Sequence, residues 1–282
     1  MKRIIKQIIF ITLFFLMVFT IVASNDTHRQ AVVNRSIAAT NKELNNFSIN
    51  NTNQPILAPN TSPSTSSFIL TDQQRFLTTI TNKLLSIPQP GTYEYILLRA
   101  YGAAFVNPQT TVKLPPKVRF TSEQETKQFQ AMLTMGKVNK TNNCYLQKSA
   151  ADAFNLAQAQ VKIPLKSGIG ASDCTRTFAA NLRFWRKYAN DTILAKVQQG
   201  KETRILGTVA PPGASQHLWG LAIDLRVTND GQIQALNQNG WFRTVENDVL
   251  HWTYLGYPVE KLTEFGFQNK VVEGVTYWLT PL

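Results

Sequence analysis

The stretch that decides the fold is residues 215–225, which read Ser-Gln-His-Leu-Trp-Gly-Leu-Ala-Ile-Asp-Leu. Successive side chains of a strand point to opposite faces, so the apolar residues at 221, 223 and 225 share one face and Asp224 points to the other. Gly220 lets the backbone bend before this strand, so that His217 can return toward Asp224. The sequence therefore predicts that a histidine and an aspartate meet at one strand.

A second stretch of this kind is residues 248–255, which read Asp-Val-Leu-His-Trp-Thr-Tyr-Leu. Apolar and aromatic residues alternate with His251 and place it on the polar face of a late strand, where it can meet Asp224 on a neighbouring strand. Two imidazoles and one carboxylate form a three-ligand zinc set with a fourth position open for water. We therefore predict a Zn²⁺ site on His217, Asp224 and His251.

Such a site supports hydrolysis, which also needs a carboxylate to move the proton of the attacking water and a positive group to face the developing oxyanion. Asp248 lies three residues before His251 and is the first candidate for the carboxylate. Glu246 is the alternative. Asp248 can also be a turn residue that precedes a strand, and the pattern alone leaves this interpretation open.

The first stretch resembles the signature of a known family. The positions that carry the resemblance are Ser215-x-His217-x-x-Gly220-x-Ala222-x-Asp224. This pattern is similar to that of the M15 peptidase family, the D-alanyl-D-alanine carboxypeptidases related to the vancomycin-resistance peptidases. The resemblance implies that His217 and Asp224 bind zinc, and that His251, followed by an aromatic residue, is the third ligand.

The resemblance also implies roles for two further residues and covers roughly residues 141–282. Arg176, which follows Ser167-Gly168 at the start of a helix, would bind the substrate carbonyl and stabilise the transition state. Ser215 would orient a ligand or the substrate. Two features depart from the family pattern: Asp248 stands where a glutamate is usual, and additional sequence, residues 169–175, separates the Ser-Gly pair from Arg176.

The N-terminal residues 1–24 have the pattern of an export signal. A cationic start, residues 1–6, is followed by an almost uninterrupted apolar run, residues 8–23, which is typical of a signal peptide or, if it is retained, of an N-terminal membrane anchor. We expect an exported protein of the periplasm or cell envelope. Export excludes nucleic acid as a partner in spite of the net charge of +12, and the scattered basic residues favour solubility and weak attraction to the wall.

The rest of the chain divides by composition into three regions. Residues 25–67 are rich in Asn, Ser, Thr and Pro and poor in large apolar residues, which predicts a disordered linker. Residues 68–140 form a predicted helical N-terminal subdomain, with helices that start near Thr71-Asp72, at Tyr93 and after residues 121–122. Residues 141–282 form the predicted zinc peptidase core.

Within the core, the pattern predicts helices over residues 149–160 and 176–188 and a strand over residues 161–165. Alternation predicts later strands within residues 220–227, 250–255 and 271–279. Helices thus come mostly first and strands mostly last. We expect an α+β fold with helices packed on a small antiparallel sheet that carries the zinc site, preceded by the helical N-terminal region.

The sequence contains two cysteines, Cys144 and Cys174. In an oxidising compartment they can form one disulfide, and the alternative is two buried or free thiols. Their spacing does not suggest a second zinc site.

Together these observations predict a secreted metalloprotease of the D,D-carboxypeptidase type. It would be a monomeric hydrolase that uses zinc to cleave D-Ala-D-Ala or related bonds in peptidoglycan peptides of the bacterial cell wall. Two alternatives stay open at this level: an endopeptidase of the same fold that cleaves cross-links, and a wall-binding module whose turnover is weakened because Asp248 replaces the longer glutamate.

Overall fold

The computed structural model describes residues 69–168 and 170–282. The predicted signal peptide or anchor at residues 1–24 and the predicted linker at residues 25–67 lie outside the described residues. Within the part that is described, no helix is both long enough and apolar enough to cross a membrane.

Three helices occupy the first part of the described chain: α1 (Asp72–Ile80), α2 (Tyr93–Tyr101) and α3 (Glu123–Gln130). Each begins where the sequence predicts, because a Thr or Ser side chain accepts a hydrogen bond from the first turn of the helix. The second helix ends at Tyr101 and is followed by a 3-10 turn over Gly102–Val106. The first helix ends at Ile80.

The remainder alternates short strands and helices. The strands are β1 (Met135–Lys137), β2 (Tyr145–Gln147), β3 (Ala222–Asp224), β4 (Trp241–Phe242), β5 (His251–Tyr254), β6 (Gln268–Val272) and β7 (Val275–Leu279). The helices are α4 (Lys148–Gln160), α5 (Phe178–Tyr188), α6 (Asp191–Gln198), α7 (Asp230–Gln238) and α8 (Glu260–Glu264). The architecture is α+β, as predicted, with small antiparallel sheets.

The central sheet has the strand order β3-β5-β4, and all of its pairs are antiparallel. Its register sets Asp224 opposite His251. The predicted strand over residues 161–165 is wrong for most of its length, because only Leu165 pairs, with Leu225. The physical reason is that Val161 still caps α4 through its N–H, and Pro164 has no N–H to donate to a ladder.

One hydrophobic core joins elements from both sides of residue 140. Phe76 of α1 packs edge-on against Phe267 with ring centroids 5.7 Å apart, and Phe105 packs against Trp219 at 5.3 Å. The first part of the described chain is thus packed directly against the segment that carries the metal-ligand candidates.

Cys144 and Cys174 form a disulfide, with their Cα atoms 5.4 Å apart, so the free-thiol alternative is wrong. The bond ties the end of the β1-β2 hairpin to the loop that precedes α5. By the loop-entropy argument a cross-link of this span stabilises the folded state by about 3–4 kcal/mol.

Candidate metal centre

Asp224 and His251 face each other because β3 pairs antiparallel with β5, and His217 approaches them from the preceding turn. Asp224 Oδ1 lies 3.1 Å from His217 Nε2 and 3.7 Å from His251 Nδ1. A tetrahedral zinc ion with ligands at about 2.0–2.1 Å requires ligand atoms about 3.3 Å apart. The two separations from Asp224 lie on either side of this value, and all three ligand atoms lie within 4.8 Å of one another, so the group could hold one metal ion.

Gly220 turns the chain so that His217 reaches this position. His217 lies in a 3-10 turn over Gln216–Trp219, and Gly220 ends the turn in the left-handed region with φ of 67°. A Cβ at residue 220 would lie 3.1 Å from the backbone nitrogen of Gln147 and 3.2 Å from Thr175 Oγ1. Both the dihedral angle and the close packing favour glycine here, as the sequence predicts.

The hydrogen bond of His217 on its far side fixes its tautomer. His217 Nδ1 lies 2.8 Å from the main-chain carbonyl oxygen of Cys174. A carbonyl oxygen can only accept, so Nδ1 carries the proton and donates it, and Nε2 presents a lone pair to Asp224. Burial, followed by the nearby charge of Arg176, lowers the pKa of His217 to about 4, so the ring is neutral near pH 7.

A side-chain amide fixes the tautomer of His251 in the same sense. Gln216 Nε2 donates to the carbonyl oxygen of Tyr101 at 2.7 Å, which leaves Gln216 Oε1 as the acceptor. This oxygen accepts from His251 Nε2 at 2.7 Å and from Thr253 Oγ1 at 2.9 Å. His251 Nδ1 is therefore unprotonated in the neutral ring and faces Asp224.

Two imidazole lone pairs thus point at the same carboxylate oxygen. Burial disfavours the charged form of Asp224, but the two histidines, whenever they are protonated toward it, together with Arg176 outweigh burial and hold the pKa of Asp224 well below its ordinary value. An arrangement of three buried acceptors is unfavourable unless a cation lies between them. The donor set of two nitrogens and one oxygen is one that zinc accepts.

Arg176 lies beside the metal-ligand candidates, immediately before the N-cap of α5. Its Nη2 donates to Asp224 Oδ2, the carboxylate oxygen that faces away from the histidines. Its Nε donates to the carbonyl oxygen of Ser172 at 2.7 Å, and its guanidinium carbon lies 4.7 Å from the ring centroid of Phe184. The guanidinium is thereby held in one orientation at the cleft.

Asp248 and Ser215 line the same cleft, of about 640 Å³ including its open mouth, as the three metal-ligand candidates. Burial raises the pKa of the Asp248 carboxyl, the nearby charge of Asp224 raises it further, and His251 lowers it. Asp248 also occupies a turn, since its backbone carbonyl accepts from the N–H of His251 at 3.2 Å. The turn position and a chemical role are therefore compatible.

Glu246, the alternative carboxylate, lies elsewhere. It accepts from Lys270 Nζ at 2.6 Å and lines a separate cavity.

Three features of the site were not found from the sequence. The first is Gln216, which directly precedes His217 and binds His251. A polar amide within an otherwise apolar stretch was the pattern that could have indicated a buried hydrogen-bonding role. Lys166 Nζ lies 3.6 Å from Asp224 Oδ2, and no pattern in the sequence indicates this contact because it depends on the path of the loop. The third feature is the role of the additional sequence before Arg176: the carbonyl oxygen of Cys174 accepts from His217, and that of Ser172 accepts from Arg176.

Comparison with known proteins gives one family. Residues 143–269 match the VanY family model, described as D-alanyl-D-alanine carboxypeptidase. No curated protein matches the chain. This segment is consistent with an M15 VanY-like peptidase, as the sequence pattern indicates, and such a domain indicates a carboxypeptidase-type peptidase that acts on peptidoglycan.

Proposed function

We propose that this chain, which carries a VanY-family domain at residues 143–269, is a zinc-dependent D,D-carboxypeptidase. It would remove the terminal D-alanine from peptidoglycan peptides that end in D-Ala-D-Ala. The observation that carries the proposal is the pair of fixed tautomers, which aim His217 Nε2 and His251 Nδ1 at one oxygen of Asp224.

In this proposal, zinc is held by His217, Asp224 and His251. When bound there, zinc would lower the pKa of a water molecule and polarise the scissile carbonyl. The outer hydrogen bonds of both histidines keep their rings oriented toward the ion, which is how such partners strengthen metal binding.

Arg176 would bind the oxygen of the scissile carbonyl and stabilise the negative charge that develops on it. Its guanidinium is only 13% exposed and is held by Ser172 and Phe184. A donor that is already oriented loses little freedom when the transition state forms, and this favours Arg176 over a flexible surface cation.

Asp248 would take a proton from the attacking water and deliver it to the leaving amine. The raised pKa of this carboxyl brings it closer to the pH at which it works, which helps a group that must both accept and donate a proton. Ser215 would contribute a hydroxyl to substrate orientation from the wall of the same cleft.

We place this activity outside the cytoplasm, in the periplasm or cell envelope. The Cys144–Cys174 disulfide supports this location, because such bonds persist in oxidising compartments. Residues 1–24 would act as a signal peptide or as a membrane tether, the enzyme would work as a monomer, and its partner would be the wall peptide rather than nucleic acid.

The test is release of D-alanine from muropeptides by the purified protein, measured by mass spectrometry before and after a chelator. We expect release that is lost on chelation and restored by Zn²⁺, and unchanged release without metal would refute the zinc assignment. Asp248→Asn should abolish release, with Asp230→Asn, an exposed residue of α7, as the matched control.

The same digests separate the alternatives. Cleavage of cross-linked dimers without release of terminal D-alanine would identify an endopeptidase. Binding without turnover, with turnover gained only in Asp248→Glu, would identify a wall-binding module.

A further inference from the structure

Lys166 is a second cation at the metal-ligand candidates, and the mechanism above gives it no role. Its Nζ lies 3.6 Å from Asp224 Oδ2, the same oxygen that Arg176 contacts. Lys166 also lines the cleft together with Asp248 and the two histidines. Two positive side chains therefore lie at one oxygen of Asp224, and the two imidazoles lie at the other.

The backbone holds Lys166 firmly in this place. The N–H of Lys166 donates to the main-chain oxygen of Asp224 at 3.0 Å, one residue after the bridge between Leu165 and Leu225. The next residue, Ser167, donates through its N–H and its hydroxyl to Asp173, at 2.7 and 2.6 Å. The side chain of Lys166 therefore starts from a fixed point at the cleft.

The two cations differ in exposure and restraint. Arg176 is 13% exposed and is held by further contacts, whereas the side chain of Lys166 is 45% exposed. An exposed ammonium is a compact point charge with three donors that can leave one carboxylate and contact another. Lys166 is thus the cation that can meet a charged group of an incoming substrate.

The proposed reaction presents such a group at the right distance. In a peptide that ends one residue after the scissile bond, three covalent bonds separate the scissile carbonyl carbon from the carbon of the free α-carboxylate, a span of less than about 4 Å. A substrate carbonyl bound beside Arg176 therefore places its terminal carboxylate within the reach of a neighbouring lysine. A bond that is followed by a further amide, or that joins the carbonyl to a lysine side-chain amine, has no free carboxylate at this point.

We propose that Lys166 binds the free α-carboxylate of the terminal residue and makes the site prefer peptide ends over internal bonds. The inference rests on the proposed function, and it assigns to this residue the preference for bonds that are followed by a free α-carboxylate. The alternative is that Lys166 acts only on Asp224 and orients it for the metal.

The test measures binding separately from turnover. The zinc-loaded protein with Asp248→Asn is titrated by calorimetry with N-acetyl-D-Ala-D-Ala and with the same peptide carrying a C-terminal amide. The measurement is repeated with Lys166→Gln and with Lys166→Arg. The matched control is Lys162→Gln, which removes the same charge from an exposed position in the same segment.

We expect the preference for the free acid over the amide to fall about tenfold in Lys166→Gln, as for the loss of one charge-assisted hydrogen bond. Lys166→Arg should keep most of the preference, and Lys162→Gln should leave it unchanged. Equal loss of affinity for acid and amide, an unchanged preference, or loss of zinc from Lys166→Gln would overturn the proposal.

Failure of the proposed function has a different signature. If the protein with intact Asp248 hydrolyses neither peptide, the carboxypeptidase assignment fails, and the acid-to-amide binding ratio still decides the role of Lys166. If neither peptide binds to the zinc-loaded protein, the Lys166 proposal fails as well.

Discussion

The two histidines of the site are held by two different kinds of structure. The loop segment around Cys174 holds His217 through a main-chain carbonyl, and a disulfide anchors this segment. The central sheet and the turn before it hold His251 through the side chain of Gln216. A main-chain acceptor survives any substitution of its own residue but depends on the path of the loop, whereas a side-chain acceptor can be lost by one substitution.

Removing Asp224, the group that both histidines face, should cause the largest loss of zinc binding. It should affect the loop that holds His217 and the sheet that holds His251 equally. Asp224→Ala removes the only carboxylate of the proposed metal-ligand set and leaves Arg176 and Lys166 as uncompensated cations next to the metal. We expect the purified variant to carry no zinc by elemental analysis, while Asp230→Ala keeps it. Full zinc occupancy in Asp224→Ala would show that the metal is held elsewhere.

Gln216→Leu should remove the hydrogen bond that orients His251 and leave the one that orients His217 in place. His251 would lose its acceptor and the lock on its tautomer, so we expect the affinity for zinc to fall by about 10–100-fold. Competition with a fluorescent zinc chelator measures this change. Thr253→Val is the matched control, since it removes the other hydrogen bond to Gln216 Oε1 and leaves the His251 contact in place. An equal loss in both variants would mean that packing, not the His251 hydrogen bond, matters.

Replacing both Cys144 and Cys174 by serine should make the loop that holds His217 less restrained. We expect the free energy of unfolding to fall by about 3 kcal/mol in urea titrations of the metal-free protein. Zinc affinity should fall less than in Gln216→Leu, because Thr175 still binds the carbonyl of Tyr145 through its N–H at 3.1 Å and its hydroxyl at 2.7 Å. A larger loss of zinc affinity than in Gln216→Leu would show that the loop, and not the sheet, contributes more to metal binding.

The smallest effect concerns pH in the metal-free protein. The pKa of His217 is lowered to about 4 in the folded state, below its unfolded value of about 6.5, so between these values the unfolded chain binds more protons. The free energy of unfolding should therefore fall as the pH falls through this range. His217→Gln should flatten this slope in urea titrations. The raised pKa of Asp248 changes the stability in the opposite direction over pH. It affects the wild type and His217→Gln equally, because His217 is not among the causes of the Asp248 shift.

Alternation and spacing were sufficient to predict that the three metal-ligand candidates lie together, and to predict the helix starts. His217, Asp224 and His251 could be identified because a strand points alternate residues to one face, and Gly220 marks the turn between the first two. The helix starts at residues 72 and 123 followed from side-chain caps. These are local rules, and they act within a few residues.

The parts that could not be predicted depend on contacts between distant residues. The acceptor for His217 comes from residue 174, and the acceptor that orients Gln216 is the carbonyl of Tyr101, 115 positions away. The position of Lys166 follows from the pairing of its backbone with Asp224, and Pro164 and Val161 prevented the strand that the apolar pattern indicated. Periodic patterns in a sequence indicate local structure, and they do not indicate contacts between residues that are far apart in the chain.

The contact between Gln216 and Tyr101 bears on how the chain can be shortened. The segment that matches the family begins at residue 143, yet the carbonyl that orients Gln216, and through it His251, belongs to residue 101. Gly213 also packs directly on the backbone of Phe120, another residue ahead of the matched segment, since a Cβ added at Gly213 would lie 1.8 Å from the Phe120 oxygen. A fragment that begins at residue 143 would therefore lack the carbonyl that orients Gln216, the hydrogen-bond partner of His251. A minimal fragment has to start ahead of α2.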